Sequence, residues 1–507
     1  MNLFPPEISQ LVLDNFGLIL MALFGYVLIF GFISFAAKRH LTADVGDYVV
    51  ASRNLGWIVV TFTMYATVLS GVGMLGIPGT IYLIGTPFVV AVLTGNTLSV
   101  ALLNYFGPRI WLLGKTYNFT TPGDLLAEYY QSDTIRMYTV VASLFYNIAY
   151  IVAQLLAGGI LLSVLSGGLI PFRAGIFIIT VVVLIHVAFA GLRGIAWLDF
   201  FNGVLILLLL VAFGFTIAIA AGGLSAVLEG LGELRNRFVA IPGVVPIFTP
   251  MRIYGVALGL SVGALVLSPA AWVRMYSARG KEFFPKISVL LLVLWLFSHV
   301  FGTYLIGSYG RALFPAVENP DFVSSLLALT VLPIGLAALF LMAVLAAIIS
   351  TTDTYLHVMT AAVVRDCLRT IFWPKMTGSH EFRLNQFVSV LVSAVCILLA
   401  LLNPVLITPL AIFAGGVTLQ LMTPLLGAVT WSRASTEAAL VAPAVGIVLT
   451  IVWEMGIVTH PVPAYILPGL GTAFLINVFL FFLISFFTRP QPPERVEQFH
   501  GLLAKEL

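Results

Sequence analysis

The sequence predicts an all-α polytopic membrane protein of about thirteen transmembrane helices. The first observation behind this is composition. Of 507 residues, 60% are hydrophobic and only 9% charged, where a water-soluble globular protein carries nearer a quarter. Mean hydropathy is +1.09. The second is segmentation. Apolar runs of about 20 residues, the length a helix needs to cross hydrocarbon, recur near 16–37, 57–84, 87–107, 136–166, 172–192, 198–222, 250–277, 284–308, 326–364, 384–402, 405–432, 437–458 and 465–488. No segment between them is long and polar enough for a soluble domain. The net charge of +3 is spread through loops, so nothing points to a nucleic-acid partner. Two cysteines, Cys367 and Cys396, make neither a disulfide framework nor a metal motif. The opening residues "MNLFPPEISQLVLDN" lack a basic stretch and a small-residue cleavage site, so the first apolar run reads as a true span.

Basic residues orient the spans. With the N-terminus outside, 19 of the 24 Lys and Arg fall at inner loops and helix ends, Lys38, Arg39, Arg53, Arg193, Arg274 and Arg365 among them. Five fall outside: Arg173, Arg235, Arg237, Arg252 and Arg311. The bias predicts an outer N-terminus and a cytoplasmic C-terminus in the cell membrane.

Taken in chain order, the second span is the first unusual one. In "TMYATVLSGVGMLGIPG" (63–79), Gly71, Gly73, Gly76, Pro78 and Gly79 are dense for a helix, and Thr67 and Ser70 are polar. Such interruptions free backbone carbonyls and amides, which is tolerated beside a cavity or an ion path. Close packing through small residues is the alternative. In the inner loop "TTPGDLLAEYY" (120–130), Thr121 as N-cap, Pro122 at N1 and Asp124 at N3 mark a helix start. The seventh span, "YGVALGLSVGALVLSPAAWVRMY" (254–276), places Gly255, Gly259 and Gly263 on one face, a packing pattern, with Pro269 as the argument for a break. The two irregular spans stand five helices apart, the weak symmetry expected of an inverted repeat with a mid-membrane site.

Three acidic residues look embedded: Asp199, Asp353 and Glu454. A charge at the bilayer centre costs roughly 2.5–3.5 kcal/mol on insertion scales, so each is a functional candidate. Glu454 is close enough to its helix end to reach the interface. Asp353 lies about 18 Å from the inner end of its helix at ~1.5 Å per residue. Ser350, Asp353, Thr354 and His357 share one face at i, i+3, i+4 and i+7, with Thr351 beside them. Clustered oxygens suit a small hard cation such as sodium. The alternative is that the hydroxyls bond their own i−4 carbonyls.

At these residues the chain resembles the sodium:solute symporter family, from about Tyr48 to Arg433. The resemblance rests on "ASRNLGW" (51–57), "SGVGMLGIPGTIYLIG" (70–85), "FAGLRGIAWLDFFNG" (189–203), "SPAAWVRMYSARG" (268–280) and "LAAIISTTDTYL" (345–356), in that order. It implies a ten-helix core of two inverted five-helix repeats, with the first and sixth core helices broken. The chain would then divide into a leading helix and inner loop (1–47), the core (48–433), two peripheral helices (434–488) and a cytoplasmic tail (489–507). The resemblance further implies sodium as coupling ion, held by the carbonyls of Ala66, Leu69 and Ala347 and the hydroxyls of Ser350 and Thr351. A second cation site, for sodium or a proton, would fall on Asp199, Ser350, Asp353 and Thr354.

Three positions depart from the family. Leu198 replaces the usual threonine before Asp199. Val68 stands where the proline carriers have an aspartate. Asp353 stands where relatives with the second site often have serine. Substrate-lining candidates are Tyr65, Thr67, Ser70, Asn147, Gln154, Ser261 and Gln420. With no obvious lysine or arginine among likely lining positions, a small neutral or mono-anionic solute is expected, such as a short monocarboxylate or an amino acid. It would be held by helix N-terminal amides. The reading is of sodium-driven solute uptake by alternating access. The rivals are a proton symporter using Asp353 and His357, a membrane enzyme, and a transporter-derived sensor. An enzyme would need an interfacial cluster of acid, base or metal ligands, and a sensor would need a signalling domain.

Overall fold

A computed structural model describes residues 6–38, 53–245, 249–402, 406–463 and 467–507. The inner-loop charge Arg39, residues 51 and 52 of the first family motif and the expected core boundary near residue 48 lie outside the described residues, as do the side chains of Lys38 and Arg193. Among the described residues there is no strand, only an isolated bridge between Leu55 and Ala278.

We number the principal helices α1 (Phe16–Lys38), α2 (Trp57–Val68), α3 (Ile77–Ile84), α4 (Thr86–Thr116), α5 (Pro122–Tyr130), α6 (Asp133–Leu165), α7 (Phe172–Ala221), α8 (Pro250–Ala257), α9 (Pro269–Ser277), α10 (Phe284–Phe297), α11 (Val323–Val331), α12 (Ile334–Ala361), α13 (Gly378–Leu402), α14 (Ile407–Leu419), α15 (Met422–Val429), α16 (Thr436–Glu454) and α17 (Gly469–Phe487). Ten helices among the described residues are long and apolar enough to cross a membrane, or eleven if the bent pair α2–α3 counts as one span. Shorter apolar helices at Phe172–Val187 and Met251–Gly263 occupy two more of the expected spans.

Two expected boundaries move. The run 326–364 is interrupted at Leu332, whose backbone is extended (ψ 146°). Pro333 follows, and a proline disfavours helical geometry in the residue before it. The runs 172–192 and 198–222 are joined in one helical stretch, α7, of 50 residues. Within it Phe172–Val187 and Ile195–Ala221 remain distinct apolar segments.

Both expected breaks are present. Between α2 and α3 the axis bends by 56°, through Leu69 (φ −81°, ψ 59°) and a widened turn at Val72–Gly76. The second comes at Ser268, which is extended (ψ 144°) between a widened helix at Leu258–Leu267 and α9. Pro269 follows as N1, and the Ser268 hydroxyl accepts from the Ala271 amide at 3.2 Å. The glycine face of this span packs as well. A Cβ on Gly263 would lie 2.1 Å from the Gly415 carbonyl oxygen of α14. Break and close packing therefore coexist in one segment, the first caused by Pro269 and the second by Gly259 and Gly263.

The start of α2 and the end of α9 are joined by main chain. Leu55 N donates to Ser277 O at 3.0 Å, and Arg279 N donates to Leu55 O at 3.0 Å. The α5 start is the expected capping box, with Thr121 Oγ1 accepting from Asp124 N and the Asp124 carboxylate accepting from Thr121 N. Burial would raise the Asp124 carboxyl, but Arg365, the Thr120 amide and Arg136 together hold it below the usual carboxylate range.

Candidate functional site: a broken helix facing a polar helix

The break in α2–α3 changes where its backbone amides go. In a continuous helix Gly71 N and Val72 N would bond the carbonyls of Thr67 and Val68. Here Gly71 N donates to Gln154 Oε1 at 2.8 Å and Val72 N to Ser70 Oγ at 3.1 Å. Carbonyls on that turn are thereby released to other partners. Gly71 is required by space: a Cβ there would meet Gln154 Oε1 at 2.7 Å, Ala157 Cβ at 2.8 Å and Ile348 Cγ1 at 3.0 Å.

The contact with Ile348 brings the break against α12, one residue from Ala347 and two from Ser350. Ser350, Thr351, Asp353, Thr354 and His357 are all buried. Ser350 Oγ donates to Ala347 O at 3.3 Å, the back-bonding alternative at weak length. Thr351 Oγ1 is buried and has no hydrogen-bond partner among the described residues. A buried hydroxyl left unpaired costs about 1–3 kcal/mol. An orphaned oxygen next to a serine hydroxyl and a broken helix is a donor set that fits a small hard cation.

The residues expected to form a second cation site pair differently. Arg274 Nη2 donates to Asp199 Oδ2 at 2.7 Å and to Thr354 Oγ1 at 3.0 Å, and Arg274 Nη1 donates to Ala270 O at 3.2 Å. Arg274 is 3% exposed and Asp199 1%. Asp353 bonds His186 Nδ1 of α7, not His357 one turn on. The His186 ring lies 4.4 Å from that of Phe30 on α1. Asp199 and Thr354 thus share the chain's own guanidinium, while Asp353 turns away to an imidazole.

Neither Arg274 nor His186 was singled out from sequence. Charge counting along the chain assigns Arg274 to an inner loop, and the structure instead buries it within α9. Its signal was the lone arginine in "SPAAWVRMY", after a break. His186 was an isolated histidine in an apolar run, the mark of an intramembrane functional candidate. Glu454 has a structural partner: its Oε1 accepts from Leu470 N at 2.8 Å, in the first turn of α17.

The substrate-lining candidates divide into two groups. Ser70 and Gln154 stand at the break, bonded to each other at 3.3 Å. Tyr65 is near it on α2 and pairs its hydroxyl with Ser298 Oγ at 2.6 Å. Thr67 Oγ1 back-bonds to Thr63 O. Asn147 Nδ2 bonds Ser143 O on its own helix, leaving Oδ1 buried without a partner among the described residues. Ser261 packs against Gly95 of α4. Gln420 belongs to a separate buried network with Thr450 of α16 and Asn477 of α17, at 3.2 and 3.0 Å.

Fold and site together define a membrane carrier with a broken-helix centre, and comparison with known proteins gives the family. The sodium:solute symporter family model matches residues 48–446. The chain belongs to that family. The sodium/pantothenate symporter of Escherichia coli K12 is 29% identical over 429 residues, covering 83% of this chain and 87% of that protein. The osmoregulated proline transporter of Bacillus subtilis strain 168 is 24% identical over 481 residues, covering 92% and 94%. Among solved structures, a Na+-coupled sialic acid symporter in a substrate-bound outward-open state superposes with a TM-score of 0.78 at 16% identity, covering 94% of this chain and 99% of that one. A nucleobase-cation-symport-1 transporter in a closed conformation gives 0.55, also at 16%. The protein is a multi-pass membrane carrier that couples sodium entry to uptake of a small organic solute, and sodium is its coupling ion.

Proposed function

We propose that the coupling sodium is held between the α2–α3 break and α12, by the carbonyls of Ala66, Leu69 and Ala347 and the hydroxyls of Ser350 and Thr351. The buried, unpaired Thr351 hydroxyl carries this reading. Ligands drawn from two helices make ion occupancy a tie between them. Release of the tie lets the broken helix move against α12, which is what alternating access needs. Asp199, Asp353 and Thr354 belong to the internal ion pairs of Arg274 and His186, so one sodium moves per cycle.

The solute sits beside the break, near Tyr65, Thr67, Ser70 and Gln154, with Asn147 and Ser261 on neighbouring helices. Pantothenate and proline, the solutes in the names of relatives, both carry a carboxylate. A small mono-anionic or zwitterionic metabolite fits a site whose buried guanidinium is already neutralised by Asp199. The core runs over 48–433, after a leading helix and inner loop (1–47) and before two peripheral helices (434–488) and a cytoplasmic tail (489–507). The N-terminus is outside, the cell membrane is the location, and the chain is a carrier and not an enzyme.

The test is thermal stability of purified protein in sodium, potassium and choline chloride at equal ionic strength. A ligand that binds only the folded form at 100 times its Kd adds about 2.7 kcal/mol. Selective, saturable stabilisation by sodium is expected, and Ser350→Ala with Thr351→Ala should abolish it while the protein stays folded. Sodium stabilisation that persists in the double variant overturns the assignment.

A further inference from the structure

The last fifteen residues do not trail from the final span. They fold into helical turns at Pro493–Val496, Glu497–Gly501 and Leu502–Glu506 and lie across the inner ends of several helices. Phe499 is fully buried. Its ring stacks on Tyr117 at 5.1 Å and 10°, and Tyr117 stacks on Phe119 at 5.5 Å and 21°. The Tyr117 hydroxyl donates to Gln498 O at 3.0 Å.

Other contacts fasten the same segment to neighbouring elements. Arg495 pairs with Glu128 of α5 at 2.7 Å. His500 Nε2 lies 3.1 Å from both the Tyr129 hydroxyl and Gly427 O of α15. Near its far end Glu506 pairs with Lys281, just beyond α9, at 3.1 Å.

The platform under Phe499 is also the anchor of the broken helix. Arg53, four residues before α2, donates to Phe119 O at 2.5 Å and to Tyr276 O of α9 at 3.2 Å. One loop, Tyr117–Phe119, is therefore gripped from one side by the tail and from the other by the entry to α2. The tail bridges α5 and α15 to the inner end of α9. A movement that parts α2 and α9 from α5 breaks the Lys281–Glu506 pair or pulls the tail from its α5 and α15 contacts.

We infer that residues Pro493–Leu507 form an intramolecular latch that holds the inner face closed, with Phe499 as its bolt and the Tyr117–Phe119 loop as its seat. Release of the latch, by a binding partner or a change of conditions, raises the population of inward-open carrier. The sodium site enters nowhere in this inference, so the latch and the ion assignment fail independently.

The reporter is a cysteine at Ala361, which is buried and lines a small inner cavity with Thr120, Thr121 and Val273. It is placed in a Cys367→Ser, Cys396→Ser background of the full chain in nanodiscs. The rate of reaction with a hydrophilic maleimide reads inner opening. Phe499→Ala is expected to raise that rate about fivefold or more, the size of a modest population shift. Arg495→Glu should raise it too, and Arg495→Glu with Glu128→Arg should return it toward the starting rate. If Phe499→Ala fails to fold, the charge-swap series decides alone. Rates that do not change in Arg495→Glu, although faster amide hydrogen exchange over residues 493–507 shows the tail released, overturn the latch.

Discussion

Arg274 of α9 reaches Asp199 of α7 at 2.7 Å and Thr354 of α12 at 3.0 Å, so one buried guanidinium links three helices. Removing one partner of a buried pair leaves the other charge uncompensated, at about 3–5 kcal/mol. Arg274→Ala should therefore lower the melting temperature severely, and Arg274→Ala with Asp199→Ala should recover much of the loss. The check is the melting temperature of both variants in one detergent. A double loss equal to the sum of the Arg274→Ala and Asp199→Ala losses would show that the pair is not coupled.

The same guanidinium bears on stoichiometry. With Asp199 and Thr354 already engaged, sodium-dependent stabilisation should titrate with a Hill coefficient near one. A coefficient well above one, measured at constant ionic strength, would require a second sodium that competes with Arg274.

His186 and Asp353 form the other central pair. Asp353→Ser removes the carboxylate that His186 Nδ1 bonds. Asp353→Ser with His186→Leu should be more stable than either single variant, because replacing a buried ion pair by apolar groups is often neutral while halving it is not. A double variant whose loss equals the sum of the two single losses would refute the coupling.

At the break, Gln154 Oε1 accepts from Gly71 N at 2.8 Å. Gln154→Leu strands that amide at about 1–3 kcal/mol. It should weaken the sodium response more than the melting temperature without sodium, because it loosens the turn next to Leu69, a proposed sodium ligand. Gly71→Ala should act the same way, its methyl lying 2.7 Å from the same oxygen. Sodium affinity from melting curves separates this from general destabilisation.

The tail carries a pH dependence. Burial holds the His500 ring below the ordinary histidine range, against the opposing pull of the Gly427 carbonyl. Tyr129 is the titratable group it meets on α5, Gly427 on α15 brings only its carbonyl, and Glu497 and Lys505 lie on its own segment. A depressed histidine favours the docked state above its free pKa of about 6.5, and that contribution is lost as pH falls through the docked value. Trypsin cleavage after Arg495, normalised to cleavage of an unstructured peptide at the same pH, should accelerate between pH 7.5 and 5.5, and His500→Asn should flatten the profile.

Much of the frame could be read from the chain because it depends on local chemistry. Gly71, Gly76 and Pro78 announced the first break, Pro269 the second, and Thr121-Pro122 with Asp124 the α5 start. Each is set by residues within one or two turns. What escaped depends on pairings distant in sequence. Asp353 has a histidine at i+4, and local spacing favoured His357, yet the bond goes to His186, 167 positions away. Arg274 lies so near a helix end that charge counting placed it in a loop. The tail looked like a polar appendage, because the aromatic seat for Phe499 is assembled from Tyr117, Phe119 and Tyr129, far upstream.

The link between Leu55 and the Ser277–Arg279 segment is made by peptide groups alone. Alanine at Leu55, Ser277 or Arg279 keeps the same amides and carbonyls, so side-chain scanning removes only the flanking bonds, Arg53 to Tyr276 O at 3.2 Å and Arg279 Nε to Asn54 Oδ1 at 2.9 Å. Arg279→Pro also deletes the main-chain donor, whereas charge reversal at the same position breaks only the side-chain bond. For anyone mapping this carrier by mutagenesis, a link that survives every side-chain replacement can still be the hinge pin, and its signature is a proline loss larger than any other substitution gives.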